Sequence, residues 1–259
     1  MDLQLKGKRV LVTGASKGIG LAVAKAFAEE GAQLTLVARS ADALAAAEKQ
    51  VVEHGGKSVT SHALDLSTNE GREALFKAQP DIDVVVNNAG AIKPGRLADL
   101  EMQDWHEGWS LKVFGYIHLC KLYSAAMAKR GSGTIINIIG MGGRAVRPNY
   151  ICGAAGNAAL IGFTNALGAE TPASGVRVFG INPSPTLTDR MTTMFRKRAA
   201  EELGDEALWE QLIDPKAFPF GRPKHPDEVA ALCAMLASPR VEYLSGTVID
   251  IDGGGQWNA

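Results

Sequence analysis

Thr13-Gly14-Ala15-Ser16-Lys17-Gly18-Ile19-Gly20 directly follows a β-branched run, Arg9-Val10-Leu11-Val12-Thr13, and opens a stretch of helical composition from Gly18 to Glu30. A glycine-rich turn between a strand and a helix reads as a phosphate cradle. Gly14, Gly18 and Gly20 let the backbone turn tightly and approach a pyrophosphate, whose charge is stabilised by free N–H groups and the positive end of the helix dipole. Ser16, Lys17 and Ile19 lie in the same turn and are assigned to the ligand with the glycines. The next strand, Gln33 to Ala38, runs into Arg39-Ser40, where an NAD-binding chain places a carboxylate for the ribose 2′-hydroxyl. An arginine in that place, with Lys17 nearby, suits a 2′-phosphate, so the expected cofactor is NADP(H).

Outward from this turn, short apolar runs alternate with helical stretches. Val59 to Leu64, Asp83 to Asn87, Thr134 to Ile139, Arg177 to Ile181 and Thr247 to Ile251 read as five further strands. Helices are expected at 42–54, 69–79, 101–129, 153–171 and 226–237. Apolar strands separated by helices predict an α/β, Rossmann-type doubly wound fold, a seven-stranded parallel sheet with helices on both faces and ligand at the strands' C-terminal ends. No linker or repeat interrupts the pattern, so residues 1–259 are expected to form one domain. Pro183 to Pro223 breaks the rhythm with five prolines and with Met191, Met194, Phe195, Trp209, Phe218 and Phe220 among charged residues. It reads either as a substrate lid or as a surface excursion anchored to the core.

Twenty-seven basic and 28 acidic residues nearly cancel and form no long run of one sign, which argues against nucleic acid or anionic lipid as partners. A small-molecule substrate is expected. Cys120, Cys152 and Cys233 are widely spaced, with no CxxC and no metal-like pairing with the five histidines, which predicts reduced thiols, no metal and a cytoplasmic location. The N-terminus is too polar for a signal sequence, and no uninterrupted apolar run reaches the roughly 18 residues of a membrane span.

The glycine spacing, together with Asn87-Asn88-Ala89-Gly90 after the fourth strand, resembles the short-chain dehydrogenase/reductase family. Asp65-Leu66 after the third strand, Asn182-Pro183 with Thr188, and Asp252-Gly253-Gly254 extend the resemblance over nearly the whole chain. It implies that Asp65 and Leu66 meet adenine, that Asn88, Ala89 and Gly90 line the ribose, and that Pro183 and Thr188 lie along the nicotinamide half. A homodimer or homotetramer is implied too. On α-helical spacing, Ala155, Ala159, Gly162 and Ala166 form a small-residue stripe suited to close helix approach, or simply to packing on the sheet.

Such enzymes usually carry an asparagine, a serine, and a tyrosine four residues before a lysine. Gly133-Thr-Ile-Ile-Asn-Ile matches the fifth strand and sets Gly140 at the serine. Ala158-Ala-Leu-Ile-Gly-Phe-Thr matches the following helix and sets Gly153 at the tyrosine and Asn157 at the lysine, thirteen residues on from Gly140 to Gly153 without an insertion. Leu111-Lys112-Val-Phe-Gly115 puts Lys112 at the asparagine. Lysine and asparagine have thus traded places, which predicts that the Lys112 ammonium reaches across the site unless it is merely an exposed helix lysine. Taking Tyr150 as the family tyrosine would shorten the loop and misplace the helix, yet its phenol lies close enough in sequence to enter the pocket or to pack against it. Two functions follow. One is an NADP(H)-dependent oxidoreductase acting on a carbonyl/alcohol or imine with a non-standard site, using Lys112 and Tyr150. The other is a catalytically silent NADP(H)-binding sensor or regulatory subunit. A Cys152 pair with His118 or His106 has no supporting spacing, and Arg144 and Arg147 are candidates to hold an acidic substrate group.

Overall fold

The computed structural model describes residues 1–257. Its strands are β1 (Arg9–Thr13), β2 (Gln33–Ala38), β3 (Val59–Ala63), β4 (Val84–Asn87), β5 (Gly133–Ile138), β6 (Val176–Pro183) and β7 (Thr247–Ile251). The helices are α1 (Gly18–Glu29), α2 (Ala41–Glu53), α3 (Asn69–Ala78), α4 (Met102–Arg130), α5 (Ile151–Glu170), α6 (Asp189–Glu202) and α7 (Pro226–Ala237). All strands pair in parallel in the order β3-β2-β1-β4-β5-β6-β7. Val10, Val12, Leu34, Leu36, Val84 and Val86 pack beneath α1, α2 and α7, through Phe27, Leu44, Val229 and Cys233. Leu11, Val85, Ile135 and Val178 point to the other face, under Leu75 of α3 and Leu119, Tyr123 and Met127 of α4. Burial on both faces is why the strands lack the polar alternation of a half-exposed sheet.

From β1 the chain winds outward to β3, then returns to place β4 on the other side of β1. The loops leaving β1 and β4 therefore diverge in opposite directions, which opens a crevice at their C-terminal ends. Thr13 and Asn88 join the two loops across it. The Thr13 hydroxyl accepts from the N–H groups of Asn88 (2.9 Å) and Ala89 (3.0 Å), and the Asn88 amide donates to the Thr13 carbonyl at 3.0 Å.

Three departures from the sequence reading matter. Residues 183–223 are not uniformly irregular: Pro183 ends β6, and α6 occupies 189–202, where Phe195 and Ala199, four apart, bury one stripe of an otherwise polar helix. Helix α5 begins at Ile151, two residues early, which makes Tyr150 the residue that enters the helix. The segment Ile151–Ser174 is long and apolar enough to cross a membrane by length and composition alone. Scattered Asn157, Thr164 and Asn165 keep it from being an uninterrupted apolar run. In the fold its inner face lies on β6, β7 and α4, whereas Ala155, Ala159, Gly162 and Ala166 are exposed. The stripe thus faces away from the sheet.

Candidate active site

Two clefts run along the C-terminal edge of the sheet. The larger, about 1060 Å³, is lined by Gly14, Ser16, Lys17, Gly18 and Ile19, by Arg39 and Ser40 beyond β2, by Leu66, and by Asn88, Ala89 and Gly90 beyond β4. The second, about 670 Å³, holds Lys112, Gly140, Tyr150, Asn157, Pro183 and Thr188. Ile19, Asn88, Thr188 and Arg190 line both, so the clefts are continuous.

The first cleft has the form of a dinucleotide cradle. Lys17 precedes α1 in extended conformation and no side chain caps that helix, which leaves its first N–H groups free for an anion. At Gly20 an added Cβ would run into the Gly14 carbonyl and approach the Asn88 amide to 2.5 Å, so only glycine lets helix and loop close this tightly. Ser40 also accepts from the Ala43 N–H at 3.2 Å, starting α2. Asp65 stands apart: its carboxylate accepts from the Ser67 N–H at 2.9 Å, which holds it below its ordinary pKa. It is absent from the cleft lining, whereas Leu64 and Leu66 are part of it.

Lys112 projects from α4 into the second cleft. Its Nζ donates to the Ile139 carbonyl (2.8 Å) and the Ile138 carbonyl (3.2 Å), where β5 gives out and its carbonyls lack strand partners. Tyr116, one helical turn on, donates to the same Ile138 carbonyl at 3.0 Å, and its ring lies 5.6 Å from the Lys112 ammonium. Burial lowers the Lys112 pKa from 10.5 to about 8. Desolvation is the cause of that shift, and the ammonium remains the major form at neutral pH, with the neutral amine taking over above about pH 8.

Gly140 adopts φ +120°, a conformation side chains rarely take, and its carbonyl receives the Asn157 amide at 3.4 Å. The Asn157 Oδ1 is buried without a partner. An orphaned buried acceptor is a rare feature and marks this wall of the cleft. At Gly153 the space for a side chain is already filled: an added Cβ would fall inside the Tyr150 ring and 2.5 Å from its hydroxyl. Tyr150 thus reaches the cleft by lying across Gly153, with Gly142 beneath its ring edge. Burial raises its pKa, and the nearby Arg190 opposes that rise.

Several expected residues lie elsewhere. Arg144 turns from the cleft to pair with Asp250 at 2.8 Å, while Arg147 lines it. Cys152 is buried, with its thiol pKa raised. His118 accepts from Arg72 at 3.2 Å and takes no part in the cleft. Sequence reasoning missed Arg190, Pro94 and Gln256 as lining residues, whereas Phe218 is among the apolar residues expected of a lid. Arg190 had a signal, two residues past Thr188; the others come together only through loop packing. Tyr116 also had one, four residues from Lys112 on the same helix.

Fold and clefts together define a nucleotide-binding oxidoreductase of the doubly wound class. Residues 8–199 match the short chain dehydrogenase family, and the chain belongs to it. It is 34% identical over 257 residues to a 3-oxoacyl-(acyl-carrier-protein) reductase of Chlamydia trachomatis, covering 96% of this chain and 98% of that protein. Against a galactitol 2-dehydrogenase (L-tagatose-forming) of Cereibacter sphaeroides it is 32% identical, covering 97% and 96%. L-sorbose reductase from Gluconobacter frateurii, solved with NADPH and L-sorbose, superposes with a TM-score of 0.91 at 31% identity over 100% of both chains.

Proposed function

We propose that this protein is an NADP(H)-dependent oxidoreductase that moves hydride to or from a carbonyl/alcohol or imine pair, and that it works without the family's usual asparagine, serine, tyrosine and lysine. NADP(H) supplies or accepts the hydride when bound. The chain holds the diphosphate over Gly14–Gly20, sets Lys17, Arg39 and Ser40 at the 2′-phosphate, and lays Leu66, with Asp65 behind it, near adenine. Asn88, Ala89 and Gly90 follow the ribose, Pro183 and Thr188 the nicotinamide half, and Asn157 Oδ1 accepts from a ribose hydroxyl. The neighbour solved with NADPH supports NADP(H) as the cofactor.

In reduction, Lys112 stabilises negative charge growing on the substrate oxygen and hands that oxygen a proton as hydride reaches the carbon. Tyr150 serves as a second donor. Segment 184–222 acts as the lid, with Ala217, Phe218 and Pro219 forming its inner wall. The exposed stripe of α5 offers a surface for a homodimer or homotetramer, which light scattering would reveal.

The observation that carries this reading is the half-buried Lys112, whose Nζ lies in the cleft, held by the Ile138 and Ile139 carbonyls. The test is NADPH oxidation over a panel of carbonyls and imines. Lys112→Met should lower kcat by about 10²–10⁴-fold, the ordinary worth of a positioned acid. NADPH binding with no turnover of any panel member would instead favour a catalytically silent sensor or regulatory subunit, a reading favoured by the absence of a hydroxyl at Gly140 and Gly153.

A further inference from the structure

Resting on that reductase reading, we propose that the substrate is an anionic carbonyl compound, a carboxylate or phosphate monoester, whose charged end binds Arg147 while its carbonyl faces Lys112. The second cleft carries three cations, Lys112, Arg147 and Arg190, against one carboxylate, Asp252. Asp252 is already engaged: its oxygens accept from the N–H groups of Gly254 (2.9 Å) and Gln256 (3.0 Å).

Four arginines of the chain are held by carboxylates. Arg9 meets Asp83, Arg144 meets Asp250, Arg198 meets Glu202 and Arg222 meets Glu228. Arg147 lies three residues from Arg144, yet among the described residues its guanidinium has no hydrogen bond or ion pair. Its backbone is nevertheless held in place, while the side chain stays exposed. Its carbonyl accepts from the Tyr150 N–H at 3.0 Å, and the Gly95 N–H binds the Asn149 carbonyl at 2.8 Å, so the turn 147–150 is fixed against the loop at 94–95.

Arg190 lines both clefts and so stands beside the dinucleotide's phosphates as well. Arg147 lines the second cleft alone, which leaves it for the substrate. A guanidinium presents its donors as a planar fork that matches carboxylate and phosphate oxygens, and a concave wall strengthens the field it projects. Met141, Phe218 and Pro219 supply apolar surface for the rest of the molecule.

The test uses matched pairs with the full chain and NADPH: 4-oxopentanoate and its methyl ester, 2-oxobutanoate and its methyl ester, dihydroxyacetone phosphate and dihydroxyacetone. The charged member of at least one pair should have a kcat/KM about tenfold or more higher, as a charge-assisted hydrogen bond provides. Which pair responds separates carboxylate from phosphate. Arg147→Gln should bring the charged-to-neutral ratio towards one, and added salt should do the same. Equal or better reduction of the neutral member in every pair, or a ratio untouched by Arg147→Gln, overturns the inference. If no probe oxidises NADPH, the reductase reading fails separately, and calorimetric binding of the same probes to the NADP complex decides. Tighter binding of a charged member, lost in Arg147→Gln, supports the inference; equal or undetectable binding overturns it.

Discussion

Lys112 and Asn157 show how far a residue's role can be read from its position. Sequence register placed both in one site, but only the fold shows the Nζ between two β5 carbonyls and the Asn157 oxygen left without a partner. An ammonium that must give up a proton works only while it holds one. Reduction should therefore slow as pH rises through about 8, and Lys112→Met should remove that limb from the pH profile of kcat. A profile with the same limb in both proteins would assign the proton to another group. Tyr150 was legible as a candidate, but its path across Gly153 was not, because an empty glycine position gives no sign of which ring fills it. Gly153→Ala should displace that ring, costing about 1–3 kcal/mol of stability by overpacking and lowering kcat while NADPH affinity holds. Thermal melts and steady-state kinetics on the variant check both effects.

At the scale of elements, strands and core helices were readable because burial on two faces enforces continuous apolar runs. The segment after β6 was not, since α6 buries only a narrow stripe and its polar surface reads as loop. Its two ends are clasped together. Lys224 Nζ donates to the Ser184 carbonyl (3.2 Å), the Ser184 hydroxyl (2.9 Å) and the Ile251 carbonyl (2.6 Å), and the Leu187 N–H binds the Lys224 carbonyl at 2.7 Å. Such a clasp would let the proposed lid move as one flap. Lys224→Met should cost about 1–2 kcal/mol, a fall in Tm of about 2–8 °C. Trypsin should also cut sooner among Arg196, Lys197 and Arg198 of α6. Unchanged melting and digestion would mean that the clasp holds nothing.

For the whole molecule, topology puts the phosphate loop, Lys112 and the segment after β6 at one edge of the sheet; the glycine turn and the strand–helix rhythm made the ligand edge legible, whereas the place of Lys112 came from the family register. The charge on the buried lysines has a global consequence. Below pH 8 the Lys112 and Lys224 side chains are protonated in both folded and unfolded chains, and the full cost of burying them is felt. Between about 8 and the ordinary 10.5, the folded chain has released those protons while the unfolded chain retains them. The unfolded state then binds more protons, so these two groups raise stability as pH climbs through that window. Denaturant titrations at pH 7.5 and 9.5 should show a smaller gain for Lys112→Met than for the parent chain.

The account's central claim is that one continuous cleft binds NADPH and uses it. Calorimetric titration with NADPH and NADH, followed by stopped-flow mixing of the NADPH complex with the carbonyl and imine panel at 340 nm, tests this most directly. The account predicts tighter binding of NADPH than of NADH, and a loss of absorbance with at least one panel member that Lys112→Met slows by about 10²-fold or more. Equal binding of the two nucleotides, or an absorbance change as fast in Lys112→Met as in the parent, would contradict it.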